Sequence, residues 1–400
     1  MPSTWSRWAR KMLGDPKGDL LVLFAAAFLM QLALGLQRTT FNNFSNDILG
    51  ILPSGIGLAG SVREIPGLFT VFVVAAVAYL RQSVIVGLCG LVIAVGLFAH
   101  GLSTDISGLL IAVVIMSVGF HTLGPVQSTM VLSLARRGEK GRRMGQFSAA
   151  QAGAALLAVF LVYILAEFFS GVVYYRVIFW GAAILAVAGG TLILRRASTG
   201  EKPTIRPQRF VYRRQYMSFY VLRLLTASQR HIFFTFAVFL MVREYGMNVQ
   251  TTAVLMGVSN ALGIYVRPAI GRIVDRFGTR TAIRWGYSVA TCTALVYAFV
   301  PVLWILYLAY CIDALIASLE VAISVHLDDI AEDVHMAPTL ALGSTINHIL
   351  GLIVPIVGGI LWDAINFQAT FIMGASITLL VVLYTRFMPA RSGLQPAATD

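Results

Sequence analysis

Long apolar runs separated by short polar stretches occupy most of the chain. Twelve runs can be distinguished, and most exceed the roughly 20 residues that a helix needs to cross a bilayer. The pattern therefore predicts an all-α integral membrane protein with twelve transmembrane helices. The predicted segments are residues 20–45, 53–80, 83–101, 106–134, 144–167, 171–194, 215–243, 248–270, 281–300, 302–326, 337–362 and 367–388.

One polar interruption is much longer than the others and lies almost midway along the chain. Residues 195–214 are strongly basic and contain Pro203 and Pro207. This stretch predicts a cytoplasmic linker between an N-terminal six-helix half, residues 1–194, and a C-terminal six-helix half, residues 215–400, that ends in a short cytoplasmic tail.

A weak internal repeat supports two halves related by pseudo-two-fold symmetry. The repeat joins the first segment to the seventh, and its offset, from position 37 to position 229, is 192 residues. The matching motifs are Gln37-Arg38-x-x-Phe41-x-x-Phe44 and Gln229-Arg230-x-x-Phe233-x-x-Phe236.

The basic residues indicate the orientation of the chain in the membrane. Lys and Arg concentrate in the N-terminal tail and in the loops after the fourth, sixth and eighth segments, whereas the opposite loops carry almost none, with Arg243 as the exception. Cytoplasmic loops hold the excess of Lys and Arg. We therefore expect a multi-pass protein of the plasma membrane (the inner membrane in a Gram-negative cell) with both termini in the cytoplasm.

Composition excludes several other classes. The chain is 58% hydrophobic and 12% charged, whereas soluble domains carry about 25% charged residues. Its net charge is +12, and most of the Lys and Arg residues lie between the apolar runs. Basic residues in these positions favour contact with the lipid bilayer over binding of nucleic acid. The three cysteines lie within apolar runs without metal or disulfide spacing. We expect a monomer with no cofactor and no metal, and no motif predicts an enzyme.

A short motif lies between the eighth and ninth segments. It is Gly271-Arg272-Ile273-Val274-Asp275-Arg276-Phe277-Gly278-Thr279-Arg280. The motif resembles the signature Gly-x-x-x-Asp-Arg-x-Gly-x-Arg of the major facilitator superfamily, as do the two sets of six helices and the basic central loop. The resemblance implies alternating access around a central cavity, with substrate contacts near the midplane. It also implies a conformational gate in which glycines let helix ends approach and Asp275 caps a helix start and meets arginines.

The chain departs from that family's pattern in two places. The signature is missing after the second segment, where residues 78–82 stand instead, and Met144–Glu167 lacks the proline of the proton-antiporter signature. A fragment of the antiporter signature, Pro355-x-x-Gly358-Gly359, lies in the eleventh segment. These departures weaken the interpretation as a drug/proton antiporter.

Charged residues within the apolar segments are the candidate chemistry, because such residues are expensive in a membrane and mark partners or function. Seven residues separate Arg223 from Arg230 in the seventh segment and Asp313 from Glu320 in the tenth. Each pair should share one helix face, at about 3.6 residues per turn. A ladder pairing Arg230 with Asp313 and Arg223 with Glu320 follows as a hypothesis. The pairs are either static or include a carboxylate that carries a proton, with Asp313 favoured.

Further polar residues lie in other segments. The second segment holds Arg63 and Glu64 beside a Pro66-Gly67 break, and we expect the two charged residues to have different partners, with Arg38 as the partner of Glu64. Histidines at depth complete the set of substrate-binding or coupling candidates. These are His121, His231 and His348. The repeat offset of 192 residues makes position 121 equivalent to position 313, which is Asp313. Each is either a proton carrier or a buried neutral histidine.

An acidic stretch follows the tenth segment. It runs from His326 to His335 and holds no Lys or Arg. We expect a cytoplasmic loop that is either a solvated turn, a partner for basic loops or a divalent-cation site.

The deep charges number four arginines against three carboxylates, an excess of one positive charge. This balance predicts a secondary transporter that works by alternating access, is coupled to protons and moves a small organic anion or zwitterion. One alternative is efflux of amphipathic drugs, for which Phe41, Phe44, Phe233 and Phe236 would supply aromatic contacts. The other is a non-transporting membrane scaffold or sensor.

Overall fold

The structure is a computed structural model that describes residues 18–77, 79–136, 138–195 and 212–388. These stretches contain fourteen α-helices and no strand. The helices are α1 (Gly18–Asn43), α2 (Pro53–Leu68), α3 (Thr70–Ala76), α4 (Gln82–Leu102), α5 (Ile106–Leu134), α6 (Lys140–Leu165), α7 (Gly171–Leu194), α8 (Met217–Tyr245), α9 (Val249–Phe277), α10 (Thr279–Phe299), α11 (Leu303–Ile316), α12 (Glu320–Ile330), α13 (Asp333–Ala364) and α14 (Phe367–Tyr384).

Each of the twelve predicted segments coincides with one or two of these helices, so the prediction of an all-α membrane protein is confirmed. Ten helical stretches in the described residues are long and apolar enough to cross a membrane. The second and ninth predicted segments are the two that do not correspond to one of these ten stretches. The second is divided into α2 and α3, and Arg284 and several hydroxyl side chains dilute the apolar character of α10.

The break in the second segment lies where Pro66 and Gly67 predicted it. Proline lacks the backbone N–H of a helical hydrogen bond and weakens the turn around it. Helix α2 ends at Leu68 and α3 begins at Thr70, whose hydroxyl donates to the Pro66 carbonyl at 3.1 Å.

The described helices group into two compact units, of which the first contains residues 18–49, 65–195 and 249–254. In it, α1 packs on α6 and α7, and α4 packs on α5 and α7. Helices α4 and α7 approach closely at Gly90 and Gly190, because a Cβ on Gly90 would lie 3.0 Å from Gly190 Cα. Small residues of this kind let membrane helices make backbone contact.

The second unit contains residues 50–64, 212–248 and 255–388. In it, α8 packs on α13 and α14, and α10 packs on α14. Its apolar core includes the fully buried Tyr216, Leu222 and Ile283. The predicted half boundaries stay a prediction, and the linker residues 196–211, the tail residues 1–17 and residues 389–400 lie outside the described residues.

Within the second unit, the start of α2 makes backbone contact with the end of α13. A Cβ on Gly359 would lie 2.6 Å from Pro53 O and 2.7 Å from Ser54 Cα. The Ser54 backbone N–H donates to Asp363 Oδ2 at 3.0 Å. The Gly358-Gly359 fragment that the sequence analysis singled out therefore has a packing role in this structure.

The family signature has a different local geometry from the one expected. Asp275 is exposed inside α9, and α10 begins without a side-chain cap, so the expected capping by Asp275 is wrong. Gly278 has a φ of +79°, a conformation that glycine adopts freely. Among the described residues, nothing lies within 4 Å of a Cβ placed on Gly271 or Gly278, so close helix approach is not what requires these glycines.

Two arginines of the signature have contacts within the second unit. The Arg276 guanidinium lies 5.2 Å from the centre of the Phe277 ring. Arg280 Nη2 donates to the Arg386 carbonyl at 2.9 Å. A turn of 3-10 helix, Thr385–Phe387, follows α14, so Arg280 binds the end of the last helix.

The acidic stretch after the tenth segment is mostly helical. His326 lies in α12 and its Nε2 lies 2.9 Å from Ser218 Oγ. His335 Nδ1 lies 3.1 Å from the Tyr216 hydroxyl. Both histidines are buried. Helix α12 runs to Ile330 and α13 begins at Asp333, so the expectation of a loop across the whole stretch is wrong, whereas its location on the cytoplasmic side stays a prediction.

Candidate substrate and coupling site

Two arginines of α8 bind one carboxylate in the second unit. Arg223 Nη1 donates to Glu320 Oε1 at 2.5 Å, and Arg230 Nη1 donates to Glu320 Oε2 at 2.8 Å. The seven-residue spacing does place both arginines on one face of α8, as predicted. Each oxygen of Glu320 therefore has its own guanidinium, and the three side chains carry an excess of one positive charge. We call Arg223, Arg230 and Glu320 the arginine trio.

The predicted ladder is half right. Arg223 pairs with Glu320 as expected, but Arg230 binds Glu320 and does not pair with Asp313. Asp313 instead accepts a hydrogen bond from Thr293 Oγ1 at 2.7 Å and is 4% exposed.

The helical winding also changes between α11 and α12. Residues Ala317–Leu319 form a 3-10 turn, which advances about 120° per residue where an α-helix advances about 100°. Over three residues this adds about 60° of rotation. An unbroken α-helix would place Asp313 and Glu320 about 20° apart around the helix axis, and the added rotation places them about 40° apart on the other side.

Asn347 of α13 is a member of the site that the sequence analysis missed. Its side-chain oxygen accepts a hydrogen bond from Arg230 Nη2. Its backbone oxygen lies 3.1 Å from His231 Nε2, which donates to it. Asn347 is 8% exposed. A polar residue directly before His348 in an apolar segment was the available signal.

Glu64 of α2 forms a second cluster in the same unit. Its Oε2 lies 2.9 Å from His348 Nδ1, and its Oε1 lies 3.4 Å from Arg63 Nη2. Arg63 and Glu64 thus contact each other, and Glu64 also binds His348; that Arg63 has a different partner of its own stays a prediction. The pairing of Glu64 with Arg38, which belongs to the first unit, stays a prediction.

The remaining candidates lie in the first unit. Arg38 is exposed on α1 and His121 is half-buried on α5, where His121 Nδ1 lies 2.9 Å from Ser117 Oγ. The sequence analysis missed His100, which is fully buried. Its Nδ1 donates to the Gly96 carbonyl at 2.7 Å, so its Nε2 is the acceptor for the Gln37 amide at 3.3 Å.

The aromatic residues of the repeat are mostly packing residues. Phe236 and Phe44 are fully buried, and Phe233 is nearly so. The Phe236 ring packs against Trp362 and the Phe233 ring against Tyr310. These side chains fill the cores of their own units.

A small cavity borders the arginine trio. Its volume is about 20 Å³, close to what one water molecule needs. Besides the trio, its walls include Asn347, Gln229 and Tyr287. The cavity therefore has room for about one water molecule beside the trio.

The arginine trio also allows a test of stability. We expect Glu320→Gln alone to lower the melting temperature, because two guanidiniums would then face each other without an anion. In the double variant with Arg223→Gln, the free energy of unfolding should be about 0.5 kcal/mol or more above that of Glu320→Gln, as expected for residues in direct contact. Thermal unfolding of the detergent-solubilised variants measures both effects, with the exposed Glu244→Gln as the matched control. A double variant that is no more stable than Glu320→Gln would contradict this coupling.

Comparisons with known proteins agree with the fold and the signature. Residues 23–337 match the Major Facilitator Superfamily, and the chain belongs to that family. A comparison with curated proteins gives no match.

Solved structures with the same fold include several transporters. The nucleoside transporter NupG is 15% identical, with 93% of this chain and 99% of that chain covered and a TM-score of 0.76. A POT family transporter in complex with 5-aminolevulinic acid is 14% identical, with 94% and 98% covered and a TM-score of 0.75. The human organic anion transporter MFSD10 is 14% identical, with 92% and 98% covered and a TM-score of 0.58. As a member of the Major Facilitator Superfamily, the chain is a multi-pass membrane transporter.

Proposed function

We propose that the protein is a proton-coupled secondary transporter that moves a small organic anion or zwitterion by alternating access. The observation that carries the proposal is the arginine trio, in which two guanidiniums share one carboxylate at 2.5 and 2.8 Å. Arginine presents a planar fork of donors that matches a carboxylate. A substrate carboxylate can therefore take the place of Glu320 on one of the two arginines.

The charge balance favours an anionic group over a lipophilic cation. A cation that entered beside Arg223 and Arg230 would meet like charge in a medium of low dielectric constant, where such repulsion is strong. An anion would meet donors that are already oriented, because Asn347 and Glu320 hold Arg230 from two sides. A zwitterion could place its ammonium group against Glu320 at the same time.

Two proteins of the same fold lend support through the molecules that their names give. One transporter of the same fold is a complex with 5-aminolevulinic acid, and another is a human organic anion transporter. Efflux of amphipathic drugs is less favoured, because Phe44, Phe233 and Phe236 are consumed in core packing.

Uptake into proteoliposomes tests the proposal. The panel is 5-aminolevulinic acid, lactate, a neutral dipeptide, uridine and the lipophilic cation tetraphenylphosphonium, each with a pH gradient of either sign and with none. We expect accumulation of at least one anion or zwitterion, and we expect a pH gradient to increase it. Movement of tetraphenylphosphonium or uridine alone would contradict the proposed substrate class, and anion transport that ignores the pH gradient would contradict proton coupling.

A further inference from the structure

Asp313 is a buried carboxyl group that the arginine trio does not use. It lies in α11, is 4% exposed, and has no ion pair within the part of the chain that the structure describes. Arg223 and Arg230 of the neighbouring α8 bind Glu320 instead. An ionised carboxylate without a cationic partner is very costly in an apolar medium, so burial here favours the neutral, protonated acid.

The hydrogen bonds around Asp313 also suit the protonated acid. Thr293 of α10 places its Oγ1 2.7 Å from Asp313 Oδ1 and 3.0 Å from the Ala290 carbonyl oxygen. A threonine hydroxyl has one hydrogen to donate and accepts through its oxygen. When Asp313 is ionised, both neighbours are acceptors and compete for that hydrogen. When Asp313 is protonated, it donates to Thr293, which donates to Ala290, and both contacts become full hydrogen bonds.

A second hydroxyl lies beside the same carboxyl. Tyr297 follows Thr293 by one turn of α10, is 2% exposed, and lies close to Asp313. Its hydroxyl makes no hydrogen bond of good geometry with any described residue. An ionised carboxylate attracts such a donor strongly, because charge-assisted hydrogen bonds are the stronger kind. Thr293 and Tyr297 can therefore both donate to Asp313 once its proton has left.

The surroundings of Asp313 contain no group that is charged at neutral pH, as far as the described residues show. The ionisable groups around Tyr297 are Asp313 itself, Tyr310 and Cys311, and tyrosine and cysteine are ordinarily uncharged at that pH. Helix α11 packs on α10 and α8. The cationic side chains of these two helices bind at Glu320, at Asn347, at the Ile51 carbonyl and at the end of α14.

The helix that carries Asp313 leads directly into the arginine trio. Helix α11 ends at Ile316, the 3-10 turn Ala317–Leu319 follows, and Glu320 is the next residue. Leu319 packs against Gly286 of α10, where an added Cβ would collide with the leucine side chain. The turn therefore joins Glu320 to the helix that supplies both hydroxyl partners of Asp313.

We propose that Asp313 binds the proton that the transporter carries, that Thr293 and Tyr297 position it, and that the turn Ala317–Leu319 connects it to the arginine trio. The inference rests on the proposed function for the cargo that moves with the proton. When a substrate carboxylate takes the place of Glu320, the turn is no longer tied to α8, and α11 shifts on α10. Water then reaches Asp313, the carboxyl O–H bond breaks, and the proton passes to water while both hydroxyls donate to the carboxylate that remains.

Infrared spectroscopy of the purified full chain tests the inference without any substrate. A protonated carboxyl has a C=O stretching band that lies apart from the amide bands and shifts on exchange into D2O. Exposed carboxyl groups are ionised at neutral pH. We therefore expect this band in the unmodified protein at neutral pH and its loss in Asp313→Asn. Glu244→Gln, which changes an exposed carboxylate of the same unit, is the matched control and should keep the band.

Three infrared results would overturn the inference. The band is absent from the unmodified protein at neutral pH, it persists unchanged in Asp313→Asn, or it disappears only in Glu64→Gln, which would place the proton on the other buried carboxyl. The measurement is independent of the proteoliposome panel. Loss of the band in Asp313→Asn supports the site even where no member of the panel is transported.

Thr293→Val tests the positioning role and leaves every ionisable group in place. Valine has the shape of threonine without the hydroxyl, so the Asp313 proton would lose its acceptor and the C=O band should shift in frequency. Thr291→Val is the matched control, because the Thr291 hydroxyl of the same helix contacts the Tyr287 carbonyl and Thr378 at 2.8 and 2.9 Å. Equal band frequencies in the two variants would contradict the positioning role, also where Asp313→Asn fails to fold.

Reconstituted Asp313→Asn distinguishes a transported proton from one that only stabilises the fold. We expect the variant to exchange labelled for unlabelled substrate across the membrane and to lose the accumulation that a pH gradient drives. Glu244→Gln should keep both activities. An Asp313→Asn protein that accumulates substrate in a pH gradient as the unmodified protein does would show that Asp313 is not the site of the transported proton.

Discussion

Replacing Arg230 by glutamine is expected to raise the KM for an anionic substrate by about 10- to 100-fold. A hydrogen bond to a charged group contributes about 1.5–3 kcal/mol, and about 1.4 kcal/mol corresponds to a tenfold change in binding. The KM of Arg230→Lys should lie between those of the unmodified protein and of Arg230→Gln, because lysine keeps the charge but lacks the fork of donors that matches a carboxylate. Initial rates of uptake into proteoliposomes, with the substrate that the panel identifies, give the KM values.

The matched control for this effect is Arg284→Gln. Arg284 is a half-buried arginine of the same unit, and its Nε donates to Thr385 Oγ1 at 3.1 Å, away from the arginine trio. Its KM should equal that of the unmodified protein. An Arg230→Gln protein that folds, reaches the liposomes and keeps an unchanged KM would show that the trio holds α8 and α12 together and does not bind substrate.

Gly359→Ala is expected to destabilise the protein by about 1–3 kcal/mol, the usual range for overpacking a tight interface. The new methyl would meet the Pro53 carbonyl and Ser54 Cα at 2.6 and 2.7 Å. Both are backbone atoms, which cannot move aside as a flexible side chain can. The clash would separate the start of α2 from the end of α13. Thermal unfolding of the purified variant measures the loss.

Gly181→Ala is the matched control for Gly359→Ala, because the same substitution should have the opposite effect on stability there. Alanine is favoured over glycine in a helix by about 1 kcal/mol, and Gly181 has open space where a Cβ would lie. The same substitution should therefore leave stability unchanged or raise it at Gly181 and lower it at Gly359. Equal melting temperatures for the two variants would mean that α2 moves away from Gly359 at little energetic cost.

The helices were predictable from the sequence because a membrane leaves the backbone few choices. Unpaired N–H and C=O groups are not tolerated in lipid, so each long apolar run must be helical. The break at Pro66 was also predictable, since proline removes a helical hydrogen bond. The 3-10 turn at Ala317–Leu319 was not, because neither proline nor glycine marks it.

The members of the site were easier to predict than their partners. Arg223, Arg230 and Glu320 stand out in the sequence because charges within apolar segments are rare. The partner of Arg230 depends on how α8 packs against α11 and α12, which the spacing along a single helix does not determine. Asn347 and His100 went unnoticed for another reason, since a single polar residue in an apolar run is a weak signal until its neighbours are known.

The contacts at the end of α14 set a limit on how far the chain can be shortened. Arg280 holds the Arg386 carbonyl and Arg284 holds the Thr385 hydroxyl, so Thr385–Phe387 belong to the folded unit and are not a dispensable tail. A fluorescent reporter or purification handle therefore belongs after residue 388. If the chain were cut before Thr385 and the handle joined there, the guanidiniums of Arg280 and Arg284 at the start of α10 would lose these acceptors. The shortened protein would then be less stable.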